Sequence, residues 1–359
     1  MHLLATIPRP DGSTFKEILA PLIGDFFPPD RARQHGPYYF VRTWDDRAGT
    51  ELLRISLDGV VDPGATGDEL RRTARRYGCE AHIEETPPEA APSPLWNAGF
   101  DGTGFPALSK RLYQEAAPIL GRFLAGAAGE ERGPLGAALD AIHLMTAHTR
   151  ATLLGSPQRD LAEYGFRDLL TLRLLSYRSH FEAIYARSKD PAAFEAACAR
   201  FYAQAGETAR NAVLAYGDPD TGPADRTPAQ EWTDFIVSSS QAVGKHFQNG
   251  TVRDAGRTLE DLERERGGPV EPTRFHIPPI PELDQLLHRD IDFLTFRLQT
   301  SVLYSCLYTL GFSLAERYVF CYVVARANEE IAGKSMKELQ DDLDELARRF
   351  AAAGAAITG

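Results

Sequence analysis

The sequence predicts an α+β protein in which an N-terminal antiparallel sheet with helices packs on a large, mainly helical region. Three observations predict it. The first ninety residues alternate between β-rich runs and helical periods. From about residue 105 onward, apolar residues keep three- and four-residue spacing. The most apolar stretch, FRLQTSVLYSCLYTLGFSLAERYVFCYVVARANEE at 296–330, reads as a pair of helices. On this pattern the chain is a single composite domain over 1–359, sheet-rich over 1–90 and helical over 105–359.

Taken in order, residues 2–7 form a strand candidate, and 13–26 carry a helical period behind Ser13 as N-cap, closed by Pro28 and Pro29. YYFVRTW at 38–44 and ELLRISL at 51–57 are β-rich runs joined by a charged turn containing Gly49, a hairpin signature. GDELRRTARRY at 67–77 is a helix that places Arg71, Arg72, Arg75 and Arg76 on one face. Such a face is either a solvated surface or a docking strip for an acidic peptide. Residues 79–85 make a further strand. The connection at 87–105 is rich in proline and glycine; its GTG lacks the third glycine of a dinucleotide loop and follows no buried strand, so it belongs to turn chemistry.

Helices follow at 106–125, 135–154, 160–186 and 191–215. A polar loop at 217–230 precedes a helix through Lys245, residues 251–266 read as an exposed charged helix, and 267–281 is a proline-rich connection. Glu282 then leads into the apolar pair. There Gly311 supplies the left-handed stop of the first helix, and Ser313 with Glu316 makes a capping box for the second.

Composition excludes several classes of function. Of 359 residues, 43% are hydrophobic and 25% charged, the balance of a soluble globular protein. A net charge of -11 opposes nonspecific nucleic-acid binding, which needs a basic surface. Cys79, Cys198, Cys306 and Cys321 stand far apart without CxxC spacing, so neither a zinc ribbon nor a disulfide framework is indicated. The N-terminus has too short an apolar run and no cleavage-like site, so no secretory signal is expected, and the longest apolar run, 301–315, is shorter than the ~20 residues that span a bilayer. A cytoplasmic protein without a membrane partner is expected. His143 and His148 point to different helix faces and make a poor metal site; no metal is expected, and no GxSxG elbow, P-loop or kinase signature occurs.

Two stretches carry candidate chemistry. In the first helix of the apolar pair, Arg297, Ser301, Tyr304 and Tyr308 fall on one face with Ser305 beside them, and no Lys or Glu interrupts it. Hydroxyls on a largely buried helix suit a cavity wall; core tyrosines with satisfied tips give the same spacing. In SSSQAVGKHFQN at 238–249, Gln241, Lys245 and Gln248 share a face and His246 is displaced from it, either a candidate acid–base group or part of a helix end facing water.

YYFVRTW, LLRISL, PPE with the glycine-rich stretch leading into ALSKRLYQEAAPILGRFL, and SVLYSCLYTLGFSLAERYVFCYVVARA together resemble the thiopeptide-type bacteriocin biosynthesis domain. That domain also forms the C-terminal, glutamate-eliminating part of class I lantibiotic dehydratases. Eliminating members carry an Arg in a phrase like F-I-R-Y, and an H-L-R-L-R phrase in the next strand. Arg42 matches the first and Arg54 the first arginine of the second, but Leu52 stands in place of the histidine and Ser56 in place of the second arginine. Their closing helix reads like S-L-I-H-M-H-x-N-R-L. Here Ser301 and Leu310 align, Tyr304 and Cys306 replace the histidines, and Tyr308 with Thr309 replaces the Asn-Arg pair.

Without the eliminating groups, the chain is similar to the thiopeptide pyridine synthases. These join two dehydroalanines of a thiazole-rich peptide in a formal aza-[4+2] cycloaddition, then lose water and expel the leader peptide. The resemblance implies a precursor peptide, leader plus modified core, as partner, with other thiopeptide biosynthetic enzymes as further partners and neither metal nor organic cofactor. It implies that Tyr304 and Tyr308 donate to the iminol or the departing hydroxyl, with Ser301 and Gln299 positioning backbone amides. Arg42, Arg54 and Arg297 would hold substrate, and Arg71, Arg72, Arg75 and Arg76 would dock an acidic leader. A stand-alone glutamate eliminase and a non-catalytic peptide-binding scaffold are the alternatives.

Overall fold

The computed structural model describes residues 1–28, 36–45, 49–86, 99–129, 133–156, 165–220, 227–255, 264, 267–268, 273–276 and 279–358. They fall in two units, each assembled from separate stretches of chain: Met1–Asn97, Gly104–Gly133 and Ser301–Leu314 in the first, Ala98–Thr103, Pro134–Thr300 and Ala315–Gly359 in the second. The architecture is α+β, with a four-stranded antiparallel sheet near the N-terminus and helices through most of the rest.

The sheet of the first unit comprises β1 (His2–Pro8), β2 (Tyr38–Asp45), β3 (Thr50–Leu57) and β4 (His82–Thr86) in the order β2-β3-β1-β4, with antiparallel pairing throughout. Helix α1 (Phe15–Phe26) connects β1 to β2, and α2 (Pro63–Arg76) connects β3 to β4. These are two interleaved split β-α-β units, the ferredoxin-like arrangement. Because successive side chains alternate across a strand, Leu3, Ala5, Ile7, Phe40, Leu53, Ile55 and Leu57 share one face, and all are buried.

The other face carries His2, Tyr39, Arg54 and Ser56, with His2 Nε2 2.8 Å from Ser56 Oγ. Helix α3 (Phe105–Gly129) packs against β2 and brings Tyr113 to 6.2 Å from the Tyr39 ring. Lys110 and Gln114 of α3 donate to Asp58 at 2.8 and 2.6 Å.

The register separates two arginines that lie close in sequence. Arg54 pairs with Val41, whereas Arg42 pairs with Leu53. Arg42 and Arg54 therefore project from opposite faces, because a one-residue offset in a strand exchanges faces. Local chemistry also moved two helix starts. Thr14, not Ser13, caps α1: its hydroxyl accepts from Glu17 N–H at 3.4 Å, and Glu17 accepts from Thr14 N–H at 2.8 Å. Ser13 instead donates to the Pro10 carbonyl at 2.8 Å. Helix α2 begins at Pro63, not 67, behind Asp62, which accepts from Ala65 N–H at 2.9 Å.

The second unit holds α4 (Pro134–Leu154), α5 (Phe166–Tyr185), α6 (Pro191–Ala215), α7 (Pro228–Gln248) and α8 (Pro281–Arg289), then α9 (Ile291–Thr309) through Thr300, and α10 (Leu314–Ala332) from Ala315 onward with α11 (Met336–Thr358). Helix α4 packs on α5, α6 and α7. A short ribbon pairs β5 (Phe100–Asp101) with β6 (Arg253–Asp254). That strand replaces the beginning of the helix expected over 251–266; residues 256–263 and 265–266 of that stretch, and 87–98 of the proline-rich connection, lie outside the described residues. Among the described residues no helix is long and apolar enough to cross a membrane.

Helix α9 ends as its sequence predicts. Gly311 has φ 96°, Phe312 N–H reaches the Leu307 carbonyl at 3.2 Å, and Gly311 N–H reaches Tyr308 at 3.0 Å. This is a Schellman stop, and α10 starts directly after Ser313.

Candidate functional site

From Leu294 to Leu310, every residue of α9 is buried except Arg297, Ser301, Ser305 and Tyr308, which are half-buried. Their three- and four-residue spacing makes one accessible stripe. Tyr304, 8% exposed, borders it.

In the first unit, the end of this stripe meets the edge strand β2. Arg42 forms an ion pair with Glu51, donates from Nη1 to the Tyr308 carbonyl at 3.3 Å, and lies 4.2 Å above the Tyr308 ring and 5.4 Å from that of Phe15. Its backbone N–H, which has no strand partner on that edge, donates to Thr309 Oγ1 at 3.3 Å. The end of α9 thus satisfies the edge strand at this one position. Glu51 also forms an ion pair with Arg9, whose Nε lies 2.9 Å from Oε2, and the Tyr308 hydroxyl donates to Glu51 Oε1 at 3.4 Å. The Arg42 and Glu51 side chains are only 10% and 14% exposed, so this charge-assisted set is largely desolvated. Burial pushes the Tyr308 phenol above its ordinary pKa, Arg42 opposes that shift, and Glu51 adds to it.

The second-unit part of α9 is different. Gln299 is fully buried, and its amide donates to the Ile236 carbonyl at 3.0 Å and to Ser239 and Ser240 at 3.1 Å each. It fastens α9 to α7. Beside it, Trp232 Nε1–H donates to His148 Nδ1 at 3.2 Å, so the neutral ring carries its proton on Nε2 and donates to Thr300 at 3.3 Å. Burial, aided by Arg173, lowers the His148 pKa to about 3. Arg297 grips Asp254 of β6 at 2.6 and 3.3 Å and the Leu287 carbonyl of α8 at 3.0 Å; His288 joins the same carboxylate at 2.9 Å. Burial works to raise the Asp254 carboxyl, but the Arg297 and His288 bonds outweigh it and hold the group below its usual range.

The remaining predicted residues lie elsewhere. His246 closes α7: its Nδ1 is 2.9 Å from Thr251 Oγ1, and its carbonyl accepts from Thr251 and Val252 N–H at 3.0 and 3.1 Å. Arg54 is half-buried on the opposite sheet face from Arg42, and its Nε finds no hydrogen-bond partner among the described residues. On α2, Arg72, Arg75 and Arg76 are exposed and Arg71 is half-buried, opposite the buried stripe of Gly67, Leu70 and Ala74. Arg71 pairs with Asp68 at 2.9 Å and Arg76 with Asp25 at 3.2 Å.

The structure thus brings Arg42 of β2 against Tyr308, on the helix segment that also carries Ser301 and Tyr304. Glu51 completes the set, and sequence motifs gave no sign of it. The one available signal was its place opposite Trp44 across the hairpin, which puts it on the Arg42 face. Among the described residues, no three His, Cys, Asp or Glu side chains converge as metal ligands would.

No family model matches the sequence, and no curated protein is similar to it in sequence. Solved structures do share its α+β fold over nearly the full length. The crystal structure of TsrL matches with a TM-score of 0.66 at 20% identity, covering 96% of this chain and 98% of that one. TbtD, a pyridine synthase from thiomuracin biosynthesis, matches with a TM-score of 0.54 at 15% identity, covering 93% of this chain and 99% of TbtD. At these identities the likeness is one of fold, and that fold is one used in thiopeptide biosynthesis.

Proposed function

We propose that this protein closes the central ring of a thiopeptide. It would join two dehydroalanines of a thiazole-containing precursor in a formal aza-[4+2] cycloaddition, followed by loss of water and of the leader peptide. The observation that carries this reading is the half-open hydroxyl stripe of α9, ending in a tyrosine clamped by Arg42, on a fold shared end to end with a pyridine synthase.

The chemistry asks little of strong acids. One dehydroalanine and the iminol form of a neighbouring backbone amide make the azadiene, and the second dehydroalanine adds across it. Holding the two in near-attack geometry can contribute about 7–11 kcal/mol. Tyr304 and Tyr308 handle the proton and oxygen of the reacting amide, Ser301 orients a neighbouring amide, and Arg42 keeps the Tyr308 ring in place. An acidic leader docks on the exposed arginines of α2, and Arg54 is a substrate contact on the other sheet face.

The test is to incubate the protein alone with a linear precursor bearing thiazoles and dehydroalanines, and to follow masses. The expected products are a macrocycle and the free leader as its carboxamide. Unchanged mass with measurable binding would support a scaffold instead, and loss of glutamate from a glutamylated precursor would support an eliminase.

A further inference from the structure

The accessible end of α9 holds one carboxylate that the chemistry above does not use. Glu51 lies near the start of β3, with one oxygen 2.9 Å from Arg9 Nε and the other ion-paired with Arg42 and 3.4 Å from the Tyr308 hydroxyl. That last contact is long for a hydroxyl–carboxylate bond, as such bonds commonly are before substrate arrives. A phenol has a single proton to give. With that proton directed at Glu51 and Arg42 over the ring, Tyr308 presents an approaching peptide with its oxygen lone pairs. It is arranged to accept from an amide N–H, not to donate to a carbonyl.

We infer that Glu51 is a positioning residue that makes Tyr308 the acceptor of the amide proton lost when the azadiene forms. This rests on the cyclisation proposed above. The amide N–H proton passes to the Tyr308 oxygen as the phenolic proton crosses to the Glu51 carboxylate, and the amide becomes an iminolate whose C=N bond completes the azadiene. One negative charge leaves Glu51 and one appears on the amide oxygen, where the Ser301 and Tyr304 hydroxyls meet it. After ring closure the same path in reverse returns the proton to that oxygen, forming the hydroxyl later lost as water with a ring hydrogen. The charged neighbours are arranged for this. Arg9 follows β1 and Arg42 belongs to β2; on α1, Lys16 is turned over the Phe312 ring at 5.5 Å, and Glu17 is engaged in its helix cap.

Full-length Glu51→Gln, Glu51→Asp, Tyr308→Phe and the Glu51→Gln/Tyr308→Phe double variant test the inference with two readouts. The first is the titration of Tyr308 in the free protein, followed by NMR of ¹³Cζ-labelled tyrosine. Removing the carboxylate while Arg42 stays should lower the apparent phenol pKa in Glu51→Gln; an unmoved titration overturns the inference, whatever the turnover. The second is single-turnover cyclisation of the linear precursor. Glu51→Gln should lose ~10²-fold in rate with leader affinity kept, Glu51→Asp should recover part of it, and the double variant should be no slower than Tyr308→Phe. Losses that multiply, or a wild-type rate in Glu51→Gln, overturn the inference alone. A wild-type protein that leaves the precursor unchanged overturns the proposed reaction and this inference together. If Glu51→Gln does not fold, Glu51→Asp carries both readouts with smaller shifts in the same directions.

Discussion

The two ends of α9 use polar residues in opposite ways. Toward its start, Gln299 and Thr300 are fully enclosed, and their hydrogen bonds run to α7 and to His148. Toward its end, Ser301, Ser305 and Tyr308 keep part of their surface accessible, and Tyr308 is held from one side by Arg42 and Glu51. A buried polar group whose bonds are all internal is a fastener, since breaking it leaves an unsatisfied atom behind. One held on a single side keeps bonding capacity for something else. Hydroxyl and amide content alone therefore does not identify a site; the distribution of satisfied and available valences does.

Substitutions at the two ends should separate along that line. The largest effect is expected at the enclosed end. Gln299→Leu should cost about 3 kcal/mol of stability in urea unfolding, because the hydrogen bonds of its amide to the Ile236 carbonyl and to the Ser239 and Ser240 hydroxyls, about 1 kcal/mol each, are lost in a sealed interior, while turnover per folded molecule holds. A stable Gln299→Leu with slow turnover would break the comparison. At the other end, Tyr304→Phe should slow cyclisation by ~10²-fold, about 2.7 kcal/mol in the barrier, with leader affinity and melting temperature nearly unchanged. Equal losses in binding and turnover would place Tyr304 with the fasteners.

Acid should act on the enclosed end first. Burial lowers the His148 pKa to about 3 in the folded protein, against about 6.5 for a histidine in the unfolded chain. Between those values the unfolded chain binds a proton that the folded one refuses. Stability is thus fully present above about pH 6.5 and falls as pH drops, by up to ~1.4 kcal/mol per pH unit from this group. Melting temperatures at pH 7.5, 6 and 5 check it, and His148→Gln should lessen the slope, the rest of which belongs to His180 and the other histidines whose pKa burial lowers. The smallest effect belongs to α2. Replacing Arg71, Arg72, Arg75 and Arg76 by Gln should weaken leader binding roughly tenfold and reduce its salt dependence, measured by fluorescence anisotropy. Unaltered affinity would remove the docking role.

How far these arrangements were legible in the sequence depends on the range of the forces that set them. The Schellman stop at Gly311 and the bounds of α6 could be read because a glycine at positive φ and a Pro start behind an aspartate act within a single turn. The cap of α1 was misplaced by one residue, since Ser13 and Thr14 can both cap and only the reach of Glu17 to Thr14 N–H decides between them. The stripe of α9 was legible as a stripe. Which of its members were fastened was not, because Asp254, the partner of Arg297, lies in a segment that read as helix.

By itself, the sequence determined the α+β class, the order of strands and helices over the first ninety residues, and the hydroxyl-bearing face of α9. Periodicity and terminal chemistry are properties of neighbouring residues, and a chain carries them wherever it goes. Only the tertiary structure decided that Arg42 and Arg54 part to opposite faces of the sheet, that Gln299 is consumed by α7, and that Glu51 stands against Tyr308. Those outcomes depend on strand register and on contacts between residues tens to hundreds of positions apart, which no local pattern encodes.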